Sequence, residues 1–202
     1  MKRSQLVFRL TRVVSSLVLP SRFEVLIQGL DHLPEKGPAL LIPKHQRWWD
    51  VPLIGHYVPR PLYFLAKEEL FRSPLPRYFI SRLGGVPVDR RAPLKSLKTF
   101  RSLVPLIREE AFLVLFPEGT YFPGTMGPGH WRLIRMLLGF QGKPDLPPLS
   151  FLPMGIRYQS PVGKGKIRVE LRIGPPCRER DPGRAESFTE DLMEQVRNLS
   201  QL

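Results

Sequence analysis

The stretch "PKHQRWWD", residues 43–50, sets a histidine and an aspartate five positions apart. An Asp50 carboxylate folded back onto His45 would fix the ring tautomer. It would also stabilise the imidazolium that forms when the ring takes a proton. The chemistry this allows is general-base catalysis on a substrate hydroxyl. No serine or cysteine follows in a nucleophile elbow, so a covalent enzyme intermediate is not indicated. The same spacing also fits a plain strand-to-helix turn in which Asp50 caps the helix. His32, His56 and His130 have no partner at useful spacing and read as surface, helix and loop residues.

Three further stretches carry polar groups that could serve such a base. "FPEGT", residues 116–120, is a turn that sets Glu118 beside Gly119, where the missing Cβ permits close approach of a substrate. "PVDRR", residues 87–91, offers the guanidiniums of Arg90 and Arg91, a group suited to bidentate phosphate binding. Lys67 closes "PLYFLAK". A solvated turn is the bland reading of the first, and a solvated charge run that of the second.

The elements around these groups place them. "FEVLIQG" (23–29), "PALLIP" (38–43), "PLYFLAK" (61–67), "GVPVD" (85–89), "AFLVLF" (111–116), "SFLPMGIRY" (150–158) and "KIRVELRIG" (166–174) read as strands. Helical stretches cover 51–58, 74–84, 130–140 and 185–202. A further helical face runs from Leu94 to Ile107, and Pro105 is expected to end or kink it. Alternating strands and helices imply an α/β fold with a mostly parallel central sheet flanked by helices. In such sheets ligands bind beyond the carboxyl ends of the strands. His45, Lys67, Arg90 and Glu118 all follow predicted strands, so parallel neighbours would gather them with Asp50 in one crevice.

The chain of 202 residues suits one domain with a sizeable core. Thirty-one Lys and Arg stand against 18 Asp and Glu, a net charge of +13, which favours a polyanionic partner. Nucleic acid fits that charge, yet no RRM, KH, helix-turn-helix or zinc-finger signature is present. The single Cys177 excludes an intramolecular disulfide, fits a reducing compartment and reads as structural. No segment approaches the roughly 18 unbroken apolar residues of a membrane span. At the N-terminus, Leu6, Val7, Leu10, Val13, Val14, Leu17 and Val18 share one helical face. Arg9 and Arg12 interrupt any signal-peptide core, and no cleavage site follows. This helix reads as an in-plane membrane anchor or as a first helix packed on the core, and the overall charge favours the membrane. Residues 1–20 are accordingly expected to form an amphipathic membrane-associated helix, and 21–202 a single α/β domain.

In order and spacing, "KHQRWWD", "AKEEL", "GGVPVDR", "FPEGT" and "FLPMGIRY" resemble the glycerolipid acyltransferases. These are the lysophosphatidate (1-acylglycerol-3-phosphate) acyltransferase group, marked by an H-x4-D motif. The resemblance runs from about residue 23 to residue 158. It implies that His45 is the catalytic base and Asp50 its orienting carboxylate. It implies that Arg90 holds the acceptor's phosphate, that Glu118 and Gly119 serve acceptor binding and site architecture with Thr120 among the substrate-binding residues, and that Pro153 lies toward the acyl donor. The implied reaction is direct transfer from acyl-CoA or acyl-carrier protein to a lysophospholipid hydroxyl, with no metal or redox cofactor. The implied location is the cytoplasmic face of a membrane carrying anionic lipids, held peripherally or monotopically through the N-terminal helix, with no nucleic-acid partner. One position departs from the pattern. Family members often carry an Arg after "FPEGT", where this chain has Tyr121 and then Phe122. Either Arg90, Arg91 or Lys67 must then hold the phosphate, or the acceptor is another lysophospholipid, a lyso-aminolipid or a sugar lipid.

Overall fold

The computed structural model describes residues 5–89, 97–141, 143–162 and 165–202. Arg90 and Arg91, and the start of the helical face at Leu94, lie outside them. The elements follow in chain order as α1 (Gln5–Arg22), β1 (Phe23–Gln28), β2 (Ala39–Pro43), α2 (Asp50–Tyr57), β3 (Leu62–Lys67), α3 (Pro74–Arg82), β4 (Gly85–Val88), α4 (Leu97–Arg108), β5 (Phe112–Val114), α5 (Trp131–Gln141), β6 (Ser150–Val162), β7 (Lys166–Ile173) and α6 (Ala185–Ser200). Short 3-10 turns at Leu30–His32, Glu68–Phe71 and Pro182–Arg184 fill connections that periodicity does not reveal.

The seven strands form one sheet in the order β1-β7-β6-β2-β5-β3-β4. β6, β2, β5, β3 and β4 run parallel to one another. β7 pairs antiparallel to β6, and β1 runs parallel to β7. The sheet is therefore mostly parallel, as expected, with one reversed edge. That reversal has a geometric result: β1 begins at the edge where the parallel strands end. α1 consequently delivers the chain to that edge, and Phe23 at the start of β1 meets Trp49 edge-on, with ring centroids 5.2 Å apart.

Helices cover both faces, which is why β2 is buried along its whole length. Leu40 and Ile42 of β2 join a core built with α4, α5 and α6. Ala39 and Leu41 face the other way, into a core that includes Leu19 of α1 and Leu53 and Ile54 of α2. On α6 the buried Phe188, Leu192 and Val196 follow four-residue spacing and form one stripe against the sheet. β6 accepts that helix closely at Gly155, where an added Cβ would lie 2.3 Å from the backbone of Leu199.

Pro105, expected to end or kink its helix, does not end it, and His32 is not fully exposed. α4 continues past Pro105 to Arg108. Leu103, Leu106 and Ile107 are buried on either side of the proline and hold the last turn against the sheet. Pro105 and Arg101 both face solvent, so water can take the Arg101 carbonyl that loses its helical donor. His32, expected at the surface, is half-buried, with Nδ1 2.8 Å from the Ile173 carbonyl. On α1, Val13, Val14, Leu17 and Val18 are exposed, while Leu19 is buried. The side chains of Leu6, Val7 and Leu10 lie outside those described. The exposed valines and leucine are not packed on this chain's core. No helix among the described residues is long and apolar enough to cross a membrane.

Candidate active site

His45 leaves the end of β2, and Asp50 opens α2. Asp50 is fully buried and points backward along the chain rather than capping its helix. Its Oδ2 accepts from His45 Nδ1 at 2.9 Å, from the Gln46 N–H at 2.6 Å and from the Arg47 N–H at 2.8 Å. Its Oδ1 accepts from the Tyr158 hydroxyl at 2.7 Å. A carboxylate with four donors is held in one orientation. A carboxylate oxygen opposite Nδ1 assigns the ring proton to that nitrogen. Nε2 is left as the basic atom.

Burial first, and then the Asp50 charge, push the Tyr158 phenol far above its ordinary range. Tyr158 is thus a permanent donor to Asp50. β6 lies parallel beside β2 and carries Tyr158 to the site from 108 residues along the chain. The Arg47 guanidinium caps the far side of the phenol, 4.8 Å from the ring centre.

The His45 ring is sandwiched. Phe116 stacks on it at 3.9 Å between centroids, and Tyr121 leans against it at 4.4 Å. Phe116 is buried whereas Tyr121 is half exposed, so one side of the imidazole faces the core and the other the opening. Tyr121, at the position where the resemblance leads one to expect an arginine, therefore touches the His45 ring directly.

Beneath the ring lies a buried ion pair that sequence reading does not reveal. Lys44 and Glu118 are fully buried side chains at the ends of the adjacent strands β2 and β5. Lys44 Nζ donates to both Glu118 oxygens at 2.8 and 2.9 Å, to the His45 carbonyl at 3.0 Å and to the Phe122 carbonyl at 2.9 Å. Glu118 also accepts from the His45 N–H at 2.8 Å and the Gly127 N–H at 2.6 Å. Phe122 N–H donates to the His45 carbonyl at 2.9 Å, closing the network on both backbone groups of the histidine. Burial pulls the Lys44 ammonium below its ordinary range even though Glu118 works in the opposite direction. Gln46 extends the network, donating to the Ile156 carbonyl and accepting from Gly124 N–H.

The expected residues thus divide. His45, Asp50 and Glu118 are brought together. Glu118, expected to serve acceptor binding, is 1% exposed with its oxygens taken by protein donors, so its carboxylate lies under the site rather than in it. Gly119 takes φ +72°, a left-handed turn that glycine adopts without strain, and Thr120 beside it is exposed. Lys67 is exposed at the same edge, two strands from β2. Arg90 lies outside the described residues. Arg47, which the sequence reading did not single out, is an exposed guanidinium two residues from His45. The two tryptophans of the motif differ: Trp49 is half-buried against Phe23, and Trp48 stacks on Trp49 at 3.8 Å with 57% exposure. No cluster of metal-binding side chains occurs among the described residues.

The chain is 27% identical over 205 residues to a 1-acyl-sn-glycerol-3-phosphate acyltransferase of Pseudomonas aeruginosa, covering 95% of this chain and 75% of that protein. It is 26% identical over 196 residues to the enzyme of the same name from Bacillus subtilis, covering 91% and 92%. A lyso-ornithine lipid O-acyltransferase of P. aeruginosa is 32% identical over 132 residues, covering 64% of this chain and 49% of that protein. The crystal structure of a 1-acyl-sn-glycerophosphate acyltransferase from Thermotoga maritima superposes with a TM-score of 0.66 at 21% identity, over 98% of this chain and 80% of that one, which shows a shared fold. The family described as Acyltransferase matches residues 24–156, a span that runs from β1 to β6 and contains His45, Asp50 and the Lys44–Glu118 pair. The chain belongs to the Acyltransferase family.

Proposed function

We propose that this acyltransferase moves a fatty acyl group from an acyl thioester to the 2-hydroxyl of 1-acylglycerol-3-phosphate, giving phosphatidate. The observation that carries the reading is the His45–Asp50 pair, with Asp50 fixed by four donors at the carboxyl edge of the sheet. The names of the most similar relatives support the acceptor. The acceptor hydroxyl gives its proton to Nε2 of His45 as its oxygen bonds to the thioester carbonyl carbon. The resulting oxyanion collapses, the carbon–sulfur bond breaks, and the thiolate leaves with the proton from His45. Asp50 stabilises the imidazolium in between. The donor is acyl-CoA or acyl-carrier protein, and the chemistry requires no metal or redox cofactor. Lys67, Arg47 and Arg90 are the cations assigned to the acceptor phosphate. An apolar cavity of about 250 Å³ beside α2, lined in part by Val51, Pro52, Gly55 and Phe64, offers room for part of an acyl chain.

The membrane part of the reading rests on α1. Its exposed Val13, Val14, Leu17 and Val18 form an apolar face suited to lying in the plane of a bilayer with anionic lipids. The enzyme would be held in this way at the cytoplasmic face.

Tyr121 beside His45, and the similarity to a lyso-ornithine lipid O-acyltransferase, favour a second reading in which the acceptor is a lyso-aminolipid or another lysophospholipid. An acceptor panel with one long-chain acyl-CoA separates the two. Turnover on 1-acylglycerol-3-phosphate should exceed that on every other acceptor. Preferential acylation of a lyso-aminolipid would replace the first reading with the second.

Tyr158→Phe removes one charge-assisted donor from Asp50. Such bonds contribute about 1.5–3 kcal/mol, so kcat should fall roughly ten-fold or more with KM little changed. Steady-state assays of Tyr158→Phe check this, and an unchanged kcat would reduce Tyr158 to a packing residue.

A further inference from the structure

The segment between β3 and β4 is oddly placed for a soluble protein. Residues 72–79 are exposed without interruption, and α3 has no buried residue. Yet this is where the chain displays large apolar groups: Leu75 is 68% exposed, Phe79 50% and Tyr78 49%, and Leu70 in the preceding 3-10 turn is 49% exposed. Leu75, Tyr78 and Phe79 stand at i, i+3 and i+4, one outward stripe of the helix. Ile80 and, just past the helix, Leu83 line the apolar cavity.

The same stretch is basic. Arg72 and Arg77 are exposed, and Arg82 lies over the Tyr78 ring at 4.3 Å. Glu68 and Glu69 precede them in the 3-10 turn. A helix with an aromatic and leucine stripe flanked by arginines matches an element lying at a lipid interface, its rings at headgroup depth and its guanidiniums on anionic headgroups. The chain's net charge of +13 adds to that attraction.

Position gives a second argument. Thr11 and Ser15 of α1 line the same cavity as Ile80 and Leu83, so α1 and α3 lie on the same face of the sheet. The chain enters this segment from Lys67 at the crevice edge and re-enters the sheet at Gly85. The segment therefore starts at the edge that carries His45.

We propose that the 3-10 turn and α3, residues 68–82, form a second lipid-docking element, which seats Leu70, Leu75, Tyr78 and Phe79 in an anionic bilayer beside α1. This rests on the membrane reading of α1 and extends it to a two-point contact. Two contacts fix the tilt of a peripheral protein, whereas one helix leaves it free to pivot. α3 thus sets which way the crevice faces the lipid.

The test uses the full chain with Cys177→Ser and a single polarity-sensitive fluorophore on Phe79→Cys or, in a parallel protein, on Leu17→Cys. Vesicles of phosphatidylcholine, with or without phosphatidylglycerol, are added, some carrying nitroxide-labelled acyl chains. Both probes should shift to the blue and be quenched, more strongly with phosphatidylglycerol present. Leu75→Ser/Tyr78→Ser/Phe79→Ser should weaken vesicle partitioning about ten-fold or more. Its turnover on a short-chain acceptor dissolved as monomer should stay that of the wild type. A probe at 79 that remains in water while the probe at 17 is buried would overturn the docking role of α3 alone. Neither probe entering lipid would overturn the membrane reading itself. A probe at 79 shielded by acyl-carrier protein and not by vesicles would make this a donor-docking face and overturn the proposal. Loss of turnover on the soluble acceptor in the triple variant would overturn a pure docking role for α3, whereas a wild type that never turns that acceptor over would strike the catalytic reading instead.

Discussion

His45→Ala is expected to lower acyl transfer by about 10²–10⁴-fold, the range contributed by a positioned general base. Fold should survive, because the ring, 12% exposed, lies at the opening rather than in the core and its side chain makes one hydrogen bond, to Asp50. The loss should appear in kcat, since the proton moves as the new bond forms. Asp50→Asn separates charge from orientation. Oδ2 faces three donors and Oδ1 a hydroxyl that can also accept, so an asparagine can keep its carbonyl toward His45 and its amide toward Tyr158. The ring should keep its tautomer while the imidazolium loses its counter-charge. Asp50→Asn should therefore retain more activity than Asp50→Ala, in contrast to a Ser-His-Asp triad, where the same change costs about 10⁴ through the wrong tautomer. Steady-state assays of all three variants with one acceptor check this ordering. Wild-type turnover in His45→Ala would remove the base from the mechanism.

Lys44→Met should be the most destabilising single change at the site. It leaves the Glu118 carboxylate buried with two backbone donors and no counter-charge. Breaking a buried pair from one side costs about 3–5 kcal/mol. For a chain of this size that is a fall in melting midpoint of roughly 6–20 °C. Burial lowers the basicity of Lys44 despite the help from Glu118, and buried pairs are in general a poor source of net stability because desolvation offsets their attraction. Removing both charges should consequently be milder than removing one. Lys44→Met/Glu118→Gln should melt above Lys44→Met. Activity should nevertheless stay low in the double variant, because the pair holds the backbone on both sides of His45. Thermal unfolding beside activity assays separates the two effects. A single variant that melts with the wild type would disprove the role in stability.

Much of the frame was legible in the residues. β2 and β5 are short apolar runs buried on both faces, and such runs stand out between polar turns. Strand direction was harder to read. β1 and β7 show alternating or apolar patterns that fit either orientation, so their reversal was not visible. The H-x4-D spacing pointed to Asp50, yet the competing cap reading fell only when the carboxylate proved to face backward. Lys44 stood in the quoted motif without a role, because nothing in one sequence marks a lysine as fully buried. Tyr158 was invisible as a site residue for a similar reason: it reaches Asp50 through strand pairing, not through proximity in the chain. Glu118 was found, but its burial against Lys44 was not, since a turn glutamate and a buried counter-ion have the same local signature.

The reversed edge of the sheet has a consequence for how substrate arrives. Because β1 starts where the parallel strands end, α1 terminates beside the His45 loop, with the Arg22 guanidinium 5.8 Å from the Trp49 ring centre. With α1 lying in a lipid surface and His45 as the base, both as proposed, the base works at a constant depth below the headgroups. A lysolipid then never needs to leave its leaflet. The enzyme searches in two dimensions, and its rate follows the acceptor's mole fraction in the surface. Diluting that surface with inert lipid at fixed bulk concentration should slow it.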